Sequence, residues 1–228
     1  MAKPALLSWS SGKDSAWALH VLDCHDVEVV GLLTTLNRAF DRVAMHAVRR
    51  DLLEAQAGAI GIPLWPVPLP WPCSNEAYEA IMGDVCRQAR AAGIEAVIFG
   101  DLYLADVRAY RERQLQGTGL TPLFPLWGIP TDSLARDMVA NGLRARITCV
   151  DPKVLPATFA GREYDAAFLD NLPAGIDPCG EKGEFHSFAY GGPMFRKPIL
   201  IALGEVTERD GFVFADLLLG SMPIDDSA

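Results

Sequence analysis

The sequence predicts an α/β fold: an open parallel sheet with helices on both faces, followed by a smaller α+β unit. Three observations carry this. The first half alternates short apolar runs with longer segments of helical spacing. The texture changes after Trp127, and 228 residues are long for one domain yet short for two full-sized ones.

Ala5–Trp9, Val27–Thr34, Leu64–Val67 and Glu95–Phe99 read as buried strands, being short, apolar and bounded by polar or Gly/Pro residues. Between them Ser15–Cys24, Ala47–Ile60 and Asn75–Ala92 show helical spacing. Leu52, Leu53, Gln56 and Ile60 illustrate it in the second helix, which Gly61 ends. Asn75 reads as the N-cap of the third, with Glu79 in its first turns. From Pro122 to Pro130 prolines punctuate the chain, before a helix near Thr131–Asn141 and a strand near Arg144–Val150. Past Pro156 glycine- and proline-rich turns separate β-like runs at Glu184–Tyr190, Ile199–Leu203 and Gly211–Leu217. These changes place a boundary between residues 1–127 and 128–228.

Composition narrows the class. Half the residues are hydrophobic and 21% are charged, as in a soluble globular protein. Acidic residues number 29 against 20 Lys and Arg, a net charge of -9 that disfavours a nucleic-acid partner. Five cysteines form no C-x-x-C pair, which suits reduced thiols in a cytoplasmic protein rather than a disulfide framework or zinc site. The apolar run Ala5–Trp9 is too short for a signal-peptide core, and Pro198–Gly204 is far below membrane-spanning length. No membrane partner is expected.

Open parallel sheets bind ligands beyond the carboxyl ends of their strands, which directs attention to the residues after Trp9, Thr34 and Phe99. At the first of these, Ser10-Ser11-Gly12-Lys13-Asp14-Ser15 joins a strand directly to a helix. Small side chains let backbone N–H groups approach an anion, and the helix N-terminus adds partial positive charge. Lys13 adds a full charge. Asp14 would repel phosphates unless a divalent cation lay between them, so the loop points to Mg²⁺-pyrophosphate rather than a bare anion. A turn in which Ser and Asp merely cap the helix is the alternative. The G-x-x-x-x-G-K-[ST] phosphate loop does not fit, because Asp14 follows Lys13 and Leu7 stands at the first Gly position.

A second constellation lies at Asp177–Phe188, where Glu181, Glu184 and His186 fall within six residues and glycines flank Glu181. Glu184 and His186 differ by two, which in a strand puts both on one face. Such a loop could orient an amine, bind a metal or act as a general base; an acidic hairpin turn with a surface histidine is the other reading.

The Ser10–Ser15 segment resembles the PP-loop, S-G-G-x-D-S, of the ATP pyrophosphatase superfamily, with Ser11 where a Gly is usual. If that position needs positive φ, a serine there is strained by on the order of 1 kcal/mol. Glu181–Ser187 resembles the E-G-G-E-[FY]-x-T signature of the diphthine–ammonia ligase family, with Lys182 for one Gly and Ser187 for Thr. Gly100-Asp101, Arg111-Glu112, Gly119–Leu123 and Leu126-Trp127 are similar to that family's middle region, so the resemblance spans most of the chain.

The resemblance implies an adenine nucleotide α-hydrolase-like first unit with five parallel strands in the order 3-2-1-4-5, and a family-specific second unit that helps build the acceptor site. It implies ATP and Mg²⁺ as cofactors and a ligase reaction: a carboxylate is adenylated, pyrophosphate leaves, and ammonia forms an amide. The acceptor would be a small-molecule or protein-side-chain carboxylate, ammonium the second substrate, and a homodimer is compatible. Lys13, Asp14, Glu181 and Glu184 are the candidate catalytic residues, with Asp14 the metal ligand. Ser10, Ser11, Gly12, Lys13, Asp14, Ser15, Thr34, His46, Gly100 and Asp101 are candidates for the nucleotide. Arg111, Glu181, Glu184 and His186 are candidates for the acceptor. Asp101 reads equally as a helix N-cap, Arg108 and Arg111 as residues of a solvated helix, and Trp9 and Trp17 as packing residues. Two rivals stand beside the ligase. One is an ATP- or AMP-binding sensor without chemistry, which has no evident need for the Glu181–His186 segment. The other is PP-loop tRNA modification, against which the acidic charge and scattered cysteines speak.

Overall fold

The computed structural model describes residues 2–22, 26–43 and 48–220. His46, a candidate nucleotide contact, lies outside these residues. The amino-terminal half runs β1 (Lys3–Ser8), α1 (Lys13–Val21), β2 (Val27–Asn37), β3 (Arg42–Val43), α2 (Arg50–Ile60), β4 (Leu64–Leu69), α3 (Asn75–Ala91), β5 (Ala96–Ile98), α4 (Ala105–Leu115) and β6 (Thr121–Leu123). Five strands are parallel and lie in the order β4-β2-β1-β5-β6. In chain order of the parallel strands this is 3-2-1-4-5, as the resemblance implied.

One strand was not foreseen. β2 runs beyond the end of β1, and β3 folds back antiparallel on that extension at Leu36 and Asn37. The short apolar run Val27–Thr34 therefore gives only the part of β2 that is buried beside β1. β4 keeps its strand despite Pro66 and Pro68 because its described pairing is with β2 alone. Both prolines are exposed and alternate with buried Val67 and Leu69, so an edge position absorbs the missing N–H groups.

Period-2 alternation divides the core. Leu7 faces α1, α2 and the carboxyl-terminal half, while Leu6 faces Val85, Ala89 and Leu115 of α3 and α4. Gly61 ends α2 in the left-handed conformation at φ 83°, its N–H donating to Ala57 O. The N-cap of α3 is Ser74, not Asn75: its hydroxyl accepts from Ala77 N at 3.2 Å. Two neighbouring residues of capping type left the sequence reading one position off.

The carboxyl-terminal half contains α5 (Thr131–Ala140), β7 (Arg144–Val150), a short α6 (Ala166–Asp170), β8 (Phe185–Gly191), β9 (Ile201–Arg209) and β10 (Phe212–Leu219). Its sheet is antiparallel in the order β8-β7-β10-β9. β8 passes over the start of α1, where Ala189 N donates to Ser11 O at 2.9 Å. The two halves thus meet at the phosphate-type loop, and one continuous hydrophobic cluster runs through both.

Candidate functional site

The loop leaves β1 and enters α1 in four residues, Trp9 to Gly12. Ser11 is fully buried and has φ 67°, the left-handed region in which the departure from Gly carries strain. Its hydroxyl turns back to donate to Ser10 O. Gly12, extended at φ -84°, is the N-cap of α1. Ser15 Oγ donates to Gly12 O at 3.0 Å and lies 3.2 Å from Ser10 Oγ, so the serines close the loop on itself. Gly100 follows β5 and allows the next layer of packing. A Cβ there would stand 3.0 Å from Asp14 C and 3.1 Å from Asp14 O and Ser15 N, all backbone atoms. Gly100 therefore sets how closely β5 approaches the first turn of α1.

Lys13 is directed into the protein. Its Nζ is buried and donates to both Asp14 oxygens, at 2.7 and 2.9 Å, and to Cys179 O. It also lies over the rings of Phe185 and Tyr164, at 5.5 and 5.6 Å from their centroids. Burial alone would lower the Lys13 pKa, but the neighbouring charges, Asp14 foremost, raise it above its ordinary value. Burial pushes the Asp14 carboxyl up, against the opposing pull of Lys13. Lys13 was expected to reach out to phosphates; its ammonium instead ties α1 to the Cys179 turn and fixes the neighbouring Asp14. Lys13 N is also engaged, donating to Ser187 Oγ of β8 at 3.2 Å.

The Asp177–Glu184 turn separates its two glutamates. Glu184 is buried at 5% exposure, and its carboxylate accepts from Asp177 N at 3.1 Å and Lys182 N at 2.9 Å. It precedes β8 and folds back into its own turn, so it does not share a strand face with His186. That is the work of a brace. Glu181 is half-buried and accepts from Leu102 N at 2.9 Å, just past the end of β5. Burial pushes its carboxyl up to about 7, helped by the nearby Asp14 and Asp101 charges. A carboxyl poised near neutrality can take or give a proton. His186 sits on β8, where burial and then the Lys13 charge hold its imidazole down at about 4, so it is neutral at pH 7.

Beside the loop, on the α3–α4 side of the sheet, opens a cleft of about 800 Å³. Ser8, Ser10, Leu33 and Thr35 line one wall, and Tyr78, Met82 and Arg111 the other. Thr34 faces away: it is 1% exposed and its hydroxyl donates to Trp9 O at 2.9 Å. Strand alternation makes Thr35 the residue that meets the cleft. Arg111 stacks 5.1 Å from the Phe99 ring centroid, with Nε 3.5 Å from Asp101 Oδ2. Burial raises the Asp101 pKa while Arg111 opposes it. Asp101 is not a cap, since the N-cap of α4 is Leu104. Arg108 is held between Phe124 and Trp127, 4.7 Å from each centroid. Trp9 and Trp17 are buried packing residues. The cleft reaches the loop at Ser10, while Asp14, Lys13 and Glu181 gather on its carboxyl-terminal side.

Three contributors escaped the sequence reading. Gln56 is fully buried; its amide donates to Ser11 O at 2.9 Å and Ala189 O at 2.6 Å, and accepts from Trp9 Nε1 at 2.9 Å. A glutamine on the apolar face of a helix was the visible signal. Tyr103 donates to Asp177 Oδ2 at 2.9 Å, and Tyr164 to Pro178 O at 2.9 Å, fixing the glutamate turn from either side. Neither tyrosine stands in a pattern that marks it. Near them burial pushes the Cys179 thiol up to about 12, so it is protonated at neutral pH. Among the described residues no group of three or more His, Cys, Asp or Glu side chains is arranged to hold a metal. Nor is any described helix long and apolar enough to cross a membrane.

Comparison with known proteins gives a consistent match. The family model for the diphthamide synthase N-terminal domain matches residues 2–122, and that for the diphthamide synthase C-terminal domain matches residues 130–215. Among similar proteins, a diphthine–ammonia ligase of Bos taurus is 23% identical over 231 residues, covering 90% of this chain and 85% of the relative. One of Danio rerio is 24% identical over 233 residues, covering 90% and 89%. One of Homo sapiens is 30% identical over 128 residues, a match that takes in 54% of this chain and 48% of the human protein. That match thus spans about half the length of the human relative.

Proposed function

This chain belongs to the diphthamide synthase family, and on that premise we propose that it is an ATP-dependent amide ligase. In this reading residues 1–127 bind ATP and residues 128–228 complete the acceptor side. A carboxylate of a small molecule or protein side chain attacks the α-phosphorus of ATP, pyrophosphate leaves, and ammonia displaces AMP from the resulting acyl-adenylate. Adenylation is needed because a carboxylate oxygen is a poor leaving group and AMP a good one.

The observation that carries the reading is Glu181, a carboxyl held near neutrality within the charge neighbourhood of Asp14 and Lys13. A general base there accepts the proton that ammonium must lose before its nitrogen can attack. A site that only held a nucleotide would have no use for it. The protonated Cys179 thiol gives no support to sulfur transfer.

The loop suits a triphosphate. Ser10 opens on the 800 Å³ cleft, which is roomy enough for an adenosine moiety, and the first turn of α1 supplies backbone N–H groups beside it. The donor set also suits Mg²⁺, which is commonly held by one or two carboxylates together with substrate phosphates. Asp14, 27% exposed, is the carboxylate that would hold it. When bound, Mg²⁺ would neutralise charge on the leaving pyrophosphate. Lys13 acts here as a positioning residue that orients Asp14, and Glu184 braces the turn that carries Glu181. Arg111 lines the cleft and is placed to meet a phosphate or the acceptor.

The test uses isotope. The protein is incubated with ATP, Mg²⁺, ¹⁵N-ammonium and a cell extract, and amide nitrogen is followed by mass spectrometry. ATP-dependent ¹⁵N incorporation that Glu181→Gln loses would support the ligase. Equal incorporation with and without the protein, or in Glu181→Gln and wild type, would oppose it.

A further inference from the structure

Two irregularities in the carboxyl-terminal sheet converge on one cavity. The β7–β8 ladder steps from Ile147↔Ser187 to Cys149↔His186, leaving Thr148 without a partner on β8. The β10–β9 ladder steps from Ala215↔Val206 to Leu217↔Leu203, so Gly204 and Glu205 of β9 stand opposite the single residue Asp216. β-Bulges of this kind re-aim a side chain. β7 and β10 are neighbours, paired at Cys149↔Phe214, so the two irregular stretches border the same space. Thr148 and Asp216 both line a cavity of about 250 Å³ whose facing wall is Arg42 of β3 and Arg49, with Arg209 also lining it.

The groups in it are unevenly matched. Asp216 accepts from Arg42 at 2.9 Å and from Arg49 Nε at 3.1 Å, which fixes both guanidinium groups at the junction of the two halves. Arg209 packs 4.3 Å from the Phe214 ring centroid and has no ion-pair partner among the described residues. Thr148 is 4% exposed, and its buried hydroxyl has no hydrogen-bond partner among them either. A buried hydroxyl without a partner is costly, and forked guanidinium donors fit oxyanions.

We propose that this cavity is a second ligand site, which binds a phosphate oxyanion between Arg209 and the Thr148 hydroxyl. It is distinct from the nucleotide cleft. Of the two residues of β3, Arg42 lines this cavity and Val43 lines the cleft, so the strand is the partition between them. The oxyanion could be free phosphate or the phosphate of a monoester.

The experiment is a calorimetric titration of inorganic phosphate, at low ionic strength, into wild type, Thr148→Val, Arg209→Gln and Asp14→Ala. Thr148→Val keeps the side-chain shape and Arg209 is exposed, so both variants are expected to fold, which circular dichroism checks. The expected result is saturable binding that weakens tenfold or more in Thr148→Val and in Arg209→Gln and is unchanged in Asp14→Ala. Competition by glycerol phosphate identifies a monoester as the ligand; its failure to compete identifies free phosphate. The proposal is overturned by absence of saturable binding up to about 10 mM, by equal affinity in wild type and the two cavity variants, or by an affinity that changes in Asp14→Ala alone, which would assign the binding to the loop.

Discussion

Gln56 holds Ser11: the side-chain amide on α2 donates to the Ser11 carbonyl at 2.9 Å, beneath the one residue of the loop whose φ is positive. The same amide donates to Ala189 O and accepts from Trp9 Nε1. It therefore joins β1, the loop, α2 and β8 at a single buried point. Gln56→Leu would fill the space but leave Ala189 O and Trp9 Nε1 unsatisfied. We expect a loss of about 3 kcal/mol in urea unfolding, from two buried polar groups at roughly 1–3 kcal/mol each, and ATP binding at least tenfold weaker by calorimetry.

Ser11 itself separates strain from function. Ser11→Gly relieves a left-handed serine but gives the unfolded chain more freedom, and the two effects nearly cancel, so stability should stay within about 1 kcal/mol of wild type. Ser11→Val puts a β-branched residue at φ 67° and should cost about 2 kcal/mol or more, with nucleotide binding lost. Thermal unfolding of the pair checks this; equal stability of the two would contradict the backbone account.

Gly100→Ala tests the packing of β5 on α1. The added Cβ meets the Asp14 and Ser15 backbone at 3.0–3.1 Å, where no flexible side chain can move aside. The first turn of α1 must shift, at a cost of about 1–3 kcal/mol. ATP affinity should fall in proportion more than stability, as read by calorimetry alongside denaturant unfolding.

Glu181 gives a pH dependence. Acting as a base with a pKa of about 7, it should make the rate rise through neutral pH, with a limb that Glu181→Gln removes. Its stability effect has the opposite slope. Because burial raises the folded pKa from 4.5 to about 7, the native state holds the proton more tightly in that interval. Stability associated with this group is complete below pH 4.5 and declines as pH rises to about 7. Glu181→Gln should flatten that decline in urea unfolding measured across the same range.

Much of this was legible in the sequence, for identifiable reasons. Strand–helix alternation fixed the parallel sheet, because buried strands such as β5 stay apolar along their length. The loop could be read because small residues and a helix start sit together at Ser10–Ser15. The carboxyl-terminal sheet was seen only in outline. β9 carries exposed Leu203 and Val206 among charged residues, so its pattern fades after the apolar start. The difference between Glu181 and Glu184 was hidden, because it depends on which backbone amides each carboxylate meets, Leu102 N or those of Asp177 and Lys182. The inward course of the Lys13 side chain was hidden for a similar reason. A lysine in a phosphate-type loop suggests an outward charge, and besides the adjacent Asp14 its ammonium meets Cys179 O, 166 residues away.

The proposed chemistry splits ATP between its α- and β-phosphates at the Ser10–Ser15 loop, and phosphorus NMR of the products tests this most directly. With ATP, Mg²⁺, ammonium and cell extract, it predicts AMP and pyrophosphate, absent in Asp14→Ala. ADP and orthophosphate, or AMP and pyrophosphate at the wild-type rate in Asp14→Ala, would contradict it.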